Sequence, residues 1–449
     1  CGTTLTVGAS GDTITFPTGT TIVNNGTQTG FGRTGTVDWD TTPKTSTVTA
    51  VNGVGYFVDT SSGALTANLP AGSAGAIVSF ADYTRTFQTN NLTITPNGSE
   101  KIGGVAANLI ASTEGQSITF IYVNATEGWI NTMDSTGQAG LAPAFITATG
   151  GTITTVCTDY KVHTFTGPGT FTVTCTGNPI GSDTVDYSII AGGGAGGGGT
   201  GPVVGTGAGG GAGGYRESSG TASGCYTASP LGACVSALPV TAQGYPITVG
   251  GGGSISPSGT GAVGGSGSNS VFSTVTSAGG GGAGSQINAK NGVSGGSGGG
   301  AAGPGGTGGT GNTPPVSPPQ GNSGGVSSGC YTGGGGGAGA VGACGVFPAN
   351  ASGNGGNGVS SSITGSSIAR AGGGGGGISG GGGCIPSYTN GLGGTGGGGN
   401  GQFNICVTSP PNLGTANTGG GGGGGGDAGA NGGAGAGGSG IVIIRYKFQ

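Results

Sequence analysis

Alternating apolar and polar positions, with turn residues between them, dominate the first 190 residues. Period-2 alternation marks half-buried β-strands, and it predicts strands at residues 46–51, 55–58, 65–69, 76–80, 92–94, 117–123 and 128–130. Trp129, Phe120, Tyr56 and Phe80 are the expected core of this small sandwich or barrel. A second group of strands is expected at 152–156, 162–166, 170–174 and 184–190, and the apolar run 441–448 closes the chain as a strong strand. Shorter strand-like pieces stand at 245–249, 270–276 and 362–364. The first 45 residues alternate too, but they are too short and polar to form a core alone, and read as a shaft or attachment segment that needs partner chains. No helical period appears in any useful window.

Between 190 and 441 the pattern gives way to glycine. The chain has 122 glycines in 449 residues, roughly four times the usual share. From 193 to 440 the only charged residues are Arg216, Glu217, Lys290, Arg370 and Asp427. Such composition commonly means a flexible linker. Against that, the closing strand 441–448 would be left in solvent without a partner, and residues 185–190 are an obvious one. Interior glycine disfavours helix by about 1 kcal/mol per residue, and collagen needs a strict Gly-X-Y period that is absent. Calcium-binding nonapeptide repeats need an Asp in every turn. The remaining compact state is a bundle of polyglycine II helices with three residues per turn. These can hydrogen-bond to one another because no Cβ holds them apart. The run 419–426 is a candidate central helix, about 25 Å long at the usual rise, and runs broken by Ala, Ser or Asn are expected at the periphery. The predicted fold class is therefore all-β N-terminal modules followed by a glycine-rich domain of packed polyglycine II helices with flanking strands and no α-helix of note. The expected divisions are 1–45 attachment segment, 46–137 β-module, 138–150 linker and 151–449 glycine-rich domain.

Charge and cysteine chemistry narrow the function. The net charge is −4 and the ten basic residues are scattered, which argues against nucleic acid. No apolar run is long enough for membrane insertion by a helix. Apart from Cys1, the cysteines form sequential couples: Cys157/Cys175, Cys225/Cys234, Cys330/Cys344 and Cys384/Cys406. Without CxxC spacing, and with His163 as the one histidine, metal is disfavoured and local disulfides are expected, placing the protein in an oxidising setting. The missing initiator Met leads to the expectation of a processed or trimmed chain. His163 reads as a strand residue, GxGxxG matches carry no information at this glycine content, and Glu114, Glu127 and Asp134 read as solvated loop acids. No active site and no cofactor are expected.

Two cysteine loops are related in sequence: residues 223–227 (SGCYT) with 232–234 (GAC), and 328–332 (SGCYT) with 342–344 (GAC). Tyr226, Tyr331, Tyr388, Phe403 and Asn404, flanked by Gly, Ser and Asn, are the candidate contact residues for a sugar or protein surface. An equal alternative is that the aromatics pack over the expected disulfides.

The segments 163–166 (HTFT), 171–173 (FTV), 185–194 (VDYSIIAGGG), 209–216 (GGGAGGYR) and 438–446 (GSGIVIIRY) together resemble the glycine-rich domain of phage tail and fibre proteins. Residues 56–58, 68–72 and 95–102 are similar to a β-module of marine phage structural proteins. The resemblance implies a virion-surface or extracellular fibre, homotrimeric, attached to other virion proteins through its N-terminus. The cysteine-bounded loops would then meet a host-surface glycan or protein. A purely structural fibre or decoration protein, and an extracellular glycine-rich surface protein, are the competing readings.

Overall fold

The structure, a computed structural model, describes residues 37–135, 143–178, 181–199, 206–224, 226–255, 261–287, 289–329, 331–347, 349–379, 388–404, 412–426 and 433–449. The chain divides into two compact units, Cys1–Leu141 and Ala142–Gln449.

The first unit contains β1 (Asp38–Lys44), β2 (Val48–Thr49), β3 (Val54–Val58), β4 (Leu65–Asn68), β5 (Ile77–Asp82), β6 (Leu92–Thr95), β7 (Leu109–Ala111), β8 (Ser117–Asn124) and β9 (Gly128–Asp134). Early strands alternate between two sheets, ordered β1-β3-β5-β8-β9 and β2-β4-β6-β7. The chain changes sheet at each of these turns, so the β1-β3-β5 and β2-β4-β6 ladders run parallel. The core between the sheets holds Tyr56, Phe80, Phe120 and Trp129, as the alternation predicts. Asp38–Lys44 pairs along β3 as an edge strand of this unit, so the expected boundary at residue 45 is corrected to before β1; residues 1–36 lie outside the described part.

The second unit contains β10 (Thr147–Thr149), β11 (Thr152–Val156), β12 (Tyr160–Phe165), β13 (Gly169–Cys175), β14 (Thr184–Ile190), β15 (Tyr215–Glu217), β16 (Leu238–Pro239), β17 (Gly244–Thr248), β18 (Ser270–Phe272), β19 (Val275–Ser277), β20 (Val359–Ser361), β21 (Ile368–Arg370), β22 (Ile378–Ser379), β23 (Phe403–Asn404) and β24 (Ile441–Lys447). Thr147–Thr149 pairs with β13, so this stretch belongs to the unit and not to a linker. Residues 362–364, expected as a strand, form part of the turn between β20 and β21. Among the described residues the only helical element is a 3-10 turn at Pro230–Gly232.

β24 lies between β12 and β14, antiparallel to both, so the predicted pairing of 185–190 with the closing strand is present. Its two faces are both buried. Val442, Ile444 and Tyr446 pack with Phe171, Phe272 and Ile247 in a sandwich core. Ile441 and Ile443 pack on the other side with Ile190, Tyr215, Ala338 and Ala371. Burial on both faces accounts for a continuous apolar run where a half-exposed strand would alternate.

Glycine segments leave the sheets and run side by side, and their hydrogen bonds carry a period of three. From residues 192–197, Gly192 and Ala195 donate to Ser268 and Gly265, Gly193 and Gly196 to Gly438 and Gly435, and Gly194 and Gly197 to Gly211 and Ala208. Each N–H three residues on thus returns to the same neighbour, as three residues per turn require. Residues 207–214 repeat the pattern: Gly207, Gly210 and Gly213 donate to Gly425, Gly422 and Gly419, while Ala208, Gly211 and Gly214 donate to Gly284, Gly281 and Ala278. This is polyglycine II packing. The run 419–426 is interior: its amides donate to 372, 375, 194 and 197, and its carbonyls accept from 207–213, 399 and 435–438. Cβ atoms would not fit; one at Gly210 would stand 2.2 Å from the carbonyl oxygen of Gly194, and one at Gly422 2.0 Å from that of Gly435.

Alanine-broken runs are not peripheral, contrary to expectation. Ala195, Ala208, Ala212 and Ala283 are fully buried, and Ala208, Ala283 and Ala302 gather their methyls in one interstice. A methyl is admitted where neighbouring helices leave a gap that other methyls fill.

Candidate functional site

The bundle has two ends. At the base it joins the sheets; at the distal end its segments turn back around residues 285–287, 303–306, 327–329 and 344–347. The candidate contact residues divide between these ends.

Tyr226 is at the base. On β14 the Asp186 carboxylate accepts hydrogen bonds from Ser218 Oγ (2.7 Å), Ser223 Oγ and the Gly220 amide (3.2 Å). Its register partner on β24, Arg445, is fully buried and donates to the Ile363 carbonyl at 3.1 Å. The guanidinium lies between the rings of Tyr160 and Tyr226, 4.7 and 4.9 Å from their centroids. The Tyr226 hydroxyl is buried, and burial pushes it well above the ordinary phenol range. The ring therefore caps a buried cation, a packing role, and the loop that carries it belongs to the base. Nearby, Glu217 accepts from Tyr215 Oη, the Ser229 amide and Ser361 Oγ, with its carboxyl raised by desolvation. This polar centre fastens the sheet to the bundle.

Tyr331 and Tyr388 meet at the distal end. Tyr331 is buried between two rings: Phe347, with centroids 6.2 Å apart and planes at 26°, and Tyr388, at 6.3 Å and 34°. Its hydroxyl donates to Asn350 Oδ1. Isolated bridges Ser328–Tyr331 and Val346–Ala351 each close a turn, and the bridge Ala351–Thr389 joins the second turn to the segment carrying Tyr388, where the Asn350 carbonyl also accepts from the Thr389 amide. Below, Thr332 Oγ1 and Ser352 Oγ both donate to the Gly377 carbonyl. The outer ring, Phe347, is 70% exposed, and Leu392 is 57% exposed. Beside them a cleft of about 440 Å³ is lined by Cys344, Val346, Asn354, Thr389, Asn390 and Leu392. Sequence reasoning did not single out Phe347, Val346 or Leu392. The usable signal was a large apolar residue with no period around it in a segment otherwise built of Gly, Ala and Asn.

Phe403 and Asn404 form β23, which pairs in parallel with Ile378–Ser379; their side chains lie outside the described part.

The expected disulfides are corrected where their residues are described. Cys175 is an exposed thiol at the end of β13, and its Sγ donates to the Thr176 carbonyl at 3.5 Å. Cys157 directly follows β11, a strand of the other sheet. Short separation in sequence does not bring the pair together because the two strands belong to different sheets. Cys234 and Cys344 are likewise exposed thiols. Cys225, Cys330, Cys384 and Cys406 lie outside the described residues. Among the described residues the bundle is closed by backbone hydrogen bonds and by β24.

His163 is fully buried on β12. Its Nδ1 lies 2.7 Å from the Gly150 carbonyl, which can only accept, so Nδ1 carries the proton and Nε2 accepts from Tyr446 Oη at 3.1 Å. Desolvation lowers its pKa. Both nitrogens are engaged in packing. Among the described residues no group of three or more His, Cys, Asp or Glu is placed to hold a metal ion, and no helix is long and apolar enough to cross a membrane.

The profile of a family described as a glycine-rich domain matches residues 164–447, more than half of the chain. The chain belongs to that family. The matched span begins in β12 and ends with β24, so the glycine-rich domain comprises the bundle together with the strands that open and close it. No curated protein matches the chain.

Proposed function

We propose that this chain is a non-enzymatic virion fibre protein, a homotrimeric adhesin of phage type. In this reading it attaches to the particle through its N-terminal segment and meets a host-surface glycan or protein with the distal end of its glycine-rich domain. The observation that carries the reading is the distal aromatic layer. In a bundle nearly devoid of side chains, Phe347, Tyr331 and Tyr388 stack where the helices turn back, and the outer ring is left in solvent beside an open cleft. Exposed aromatic and aliphatic groups on a rigid frame make contact area at small entropic cost. Hydrogen bonds at 2.7–2.8 Å from Ser352 and Thr332 to the underlying glycine helix support that rigidity.

The test is binding of the labelled full chain to candidate host cells, with a Phe347→Ala/Tyr388→Ala variant alongside. The expected result is attachment by the native protein and a loss of about tenfold or more in the variant, as for truncation of an interface hot spot. A folded variant that attaches as well as the native chain, or a native chain that attaches to no cell, would leave a purely structural fibre as the better account.

A further inference from the structure

The outer face of the first unit carries features that its core does not need. Trp39 on β1 lies flat over Gly55 on β3: a Cβ there would stand 2.7 Å from the indole ring. Glycine at 55 therefore makes room for the indole on the sheet surface. Trp39 continues into a row of rings, with Phe57 at 4.9 Å and then Tyr83 at 6.4 Å. Trp39 is 41% exposed and Tyr83 55% exposed. For two large rings to be stacked on a sheet and left in water is unfavourable unless something covers them.

Beside Trp39 is an open cleft of about 610 Å³, lined by Ser117, Thr119, Asn131, Thr132, Met133, Asp134 and Ser135. Its floor is held by the Ser79–Thr119 hydroxyl hydrogen bond at 2.8 Å. Its far wall is shaped by a β-bulge, because β8 residues Thr119 and Phe120 pair with Met133 and Asn131, leaving Thr132 as the extra residue. Bulges of this kind re-aim side chains and are frequent beside sites. Met133 is turned outward, 58% exposed. Asp134 is fixed by the Asn131 amide at 3.2 Å and by Gln116 Nε2 at 3.4 Å. The Ser135 hydroxyl accepts from the Ser117 amide at 2.8 Å.

We infer that this cleft binds a neutral saccharide. A pyranose ring has one face of C–H groups and a rim of hydroxyls. The C–H face matches an exposed indole, which is apolar in its plane and negative over its face. The rim matches an anchored carboxylate flanked by serine and threonine hydroxyls, the small set of placed polar groups found in ligand clefts. The onward row through Phe57 and Tyr83 gives further rings of a chain a second and third platform. The cleft lies in the first unit and is independent of the distal aromatic layer.

The experiment uses the full chain on an array of neutral oligosaccharides of glucose, galactose and N-acetylhexosamines, followed by titration of the bound sugar. Intrinsic fluorescence reports on the site, since the two tryptophans are Trp39 at the cleft and Trp129 in the core. Binding is expected to shift the emission of Trp39 and shield it from acrylamide. Trp39→Ala is expected to weaken binding by about tenfold or more, and the isosteric Asp134→Asn to weaken it without disturbing β1. Absence of binding to every sugar on the array overturns the inference. So does a sugar whose binding leaves Trp39 emission and quenching unchanged, or is unaffected by both substitutions.

Discussion

At Gly252 an added Cβ would stand 1.9 Å from the carbonyl oxygen of Gly437, whereas at its neighbour Gly251 it would meet nothing within 4 Å. The two residues share one run, so they separate packing from composition. Gly252→Ala is expected to destabilise by about 1–3 kcal/mol, the usual cost of overpacking. Gly251→Ala is expected to be neutral or to stabilise by up to about 1 kcal/mol through the unfolded chain. Chemical denaturation of both variants checks this. Tyr226 offers a second contrast: as the cap on Arg445 its replacement by Ala is expected to cost about 2–4 kcal/mol while cell attachment per folded molecule is retained. His163 gives a pH dependence. Its folded pKa lies below the ordinary 6.5 because burial disfavours the imidazolium, so below pH 6.5 the unfolded chain binds more protons than the folded one. Its contribution is present above that pH and is lost as pH falls through the folded value. Thermal unfolding between pH 7 and 5 should show the decline, flattened in His163→Gln.

Among the elements, β24 carries the greatest structural burden: it joins β12 to β14 and fills two cores at once. Truncation before Ile441 is expected to abolish cooperative unfolding of the second unit, read by calorimetry. Strands of this kind were legible because their apolar content has no other use. The β14–β24 pairing follows from two apolar runs with no other partner, and Tyr56, Phe80, Phe120 and Trp129 follow from strict alternation. β1 was not legible, since Asp38–Lys44 is largely polar and its place on β3 depends on a ladder of parallel backbone bonds that leaves no apolar trace. Residues 362–364 misled for the opposite reason. Ile363 is apolar because it packs under the base cluster from a turn, not because it alternates in a sheet.

Over the whole molecule, composition was enough to derive threefold glycine packing but not the path of the chain through it. Which segments neighbour 207–214 depends on contacts across more than 200 residues, such as Gly207 to Gly425, and a nearly uniform sequence records little of that. The site divides in the same way. Tyr331 and Tyr388 stood out as aromatics among glycines, but sequence similarity between the two SGCYT loops placed Tyr226 with them although it serves the base. Phe347 became visible only once three turns met at one end. The glycine runs form a rigid, internally hydrogen-bonded frame that can hold such a surface in place. Native-state amide hydrogen exchange tests it most directly. Strong protection is expected across 192–197, 207–214 and 421–425, whose N–H groups are donated to neighbouring helices. Exchange of those amides at the rate of an unstructured chain would contradict it.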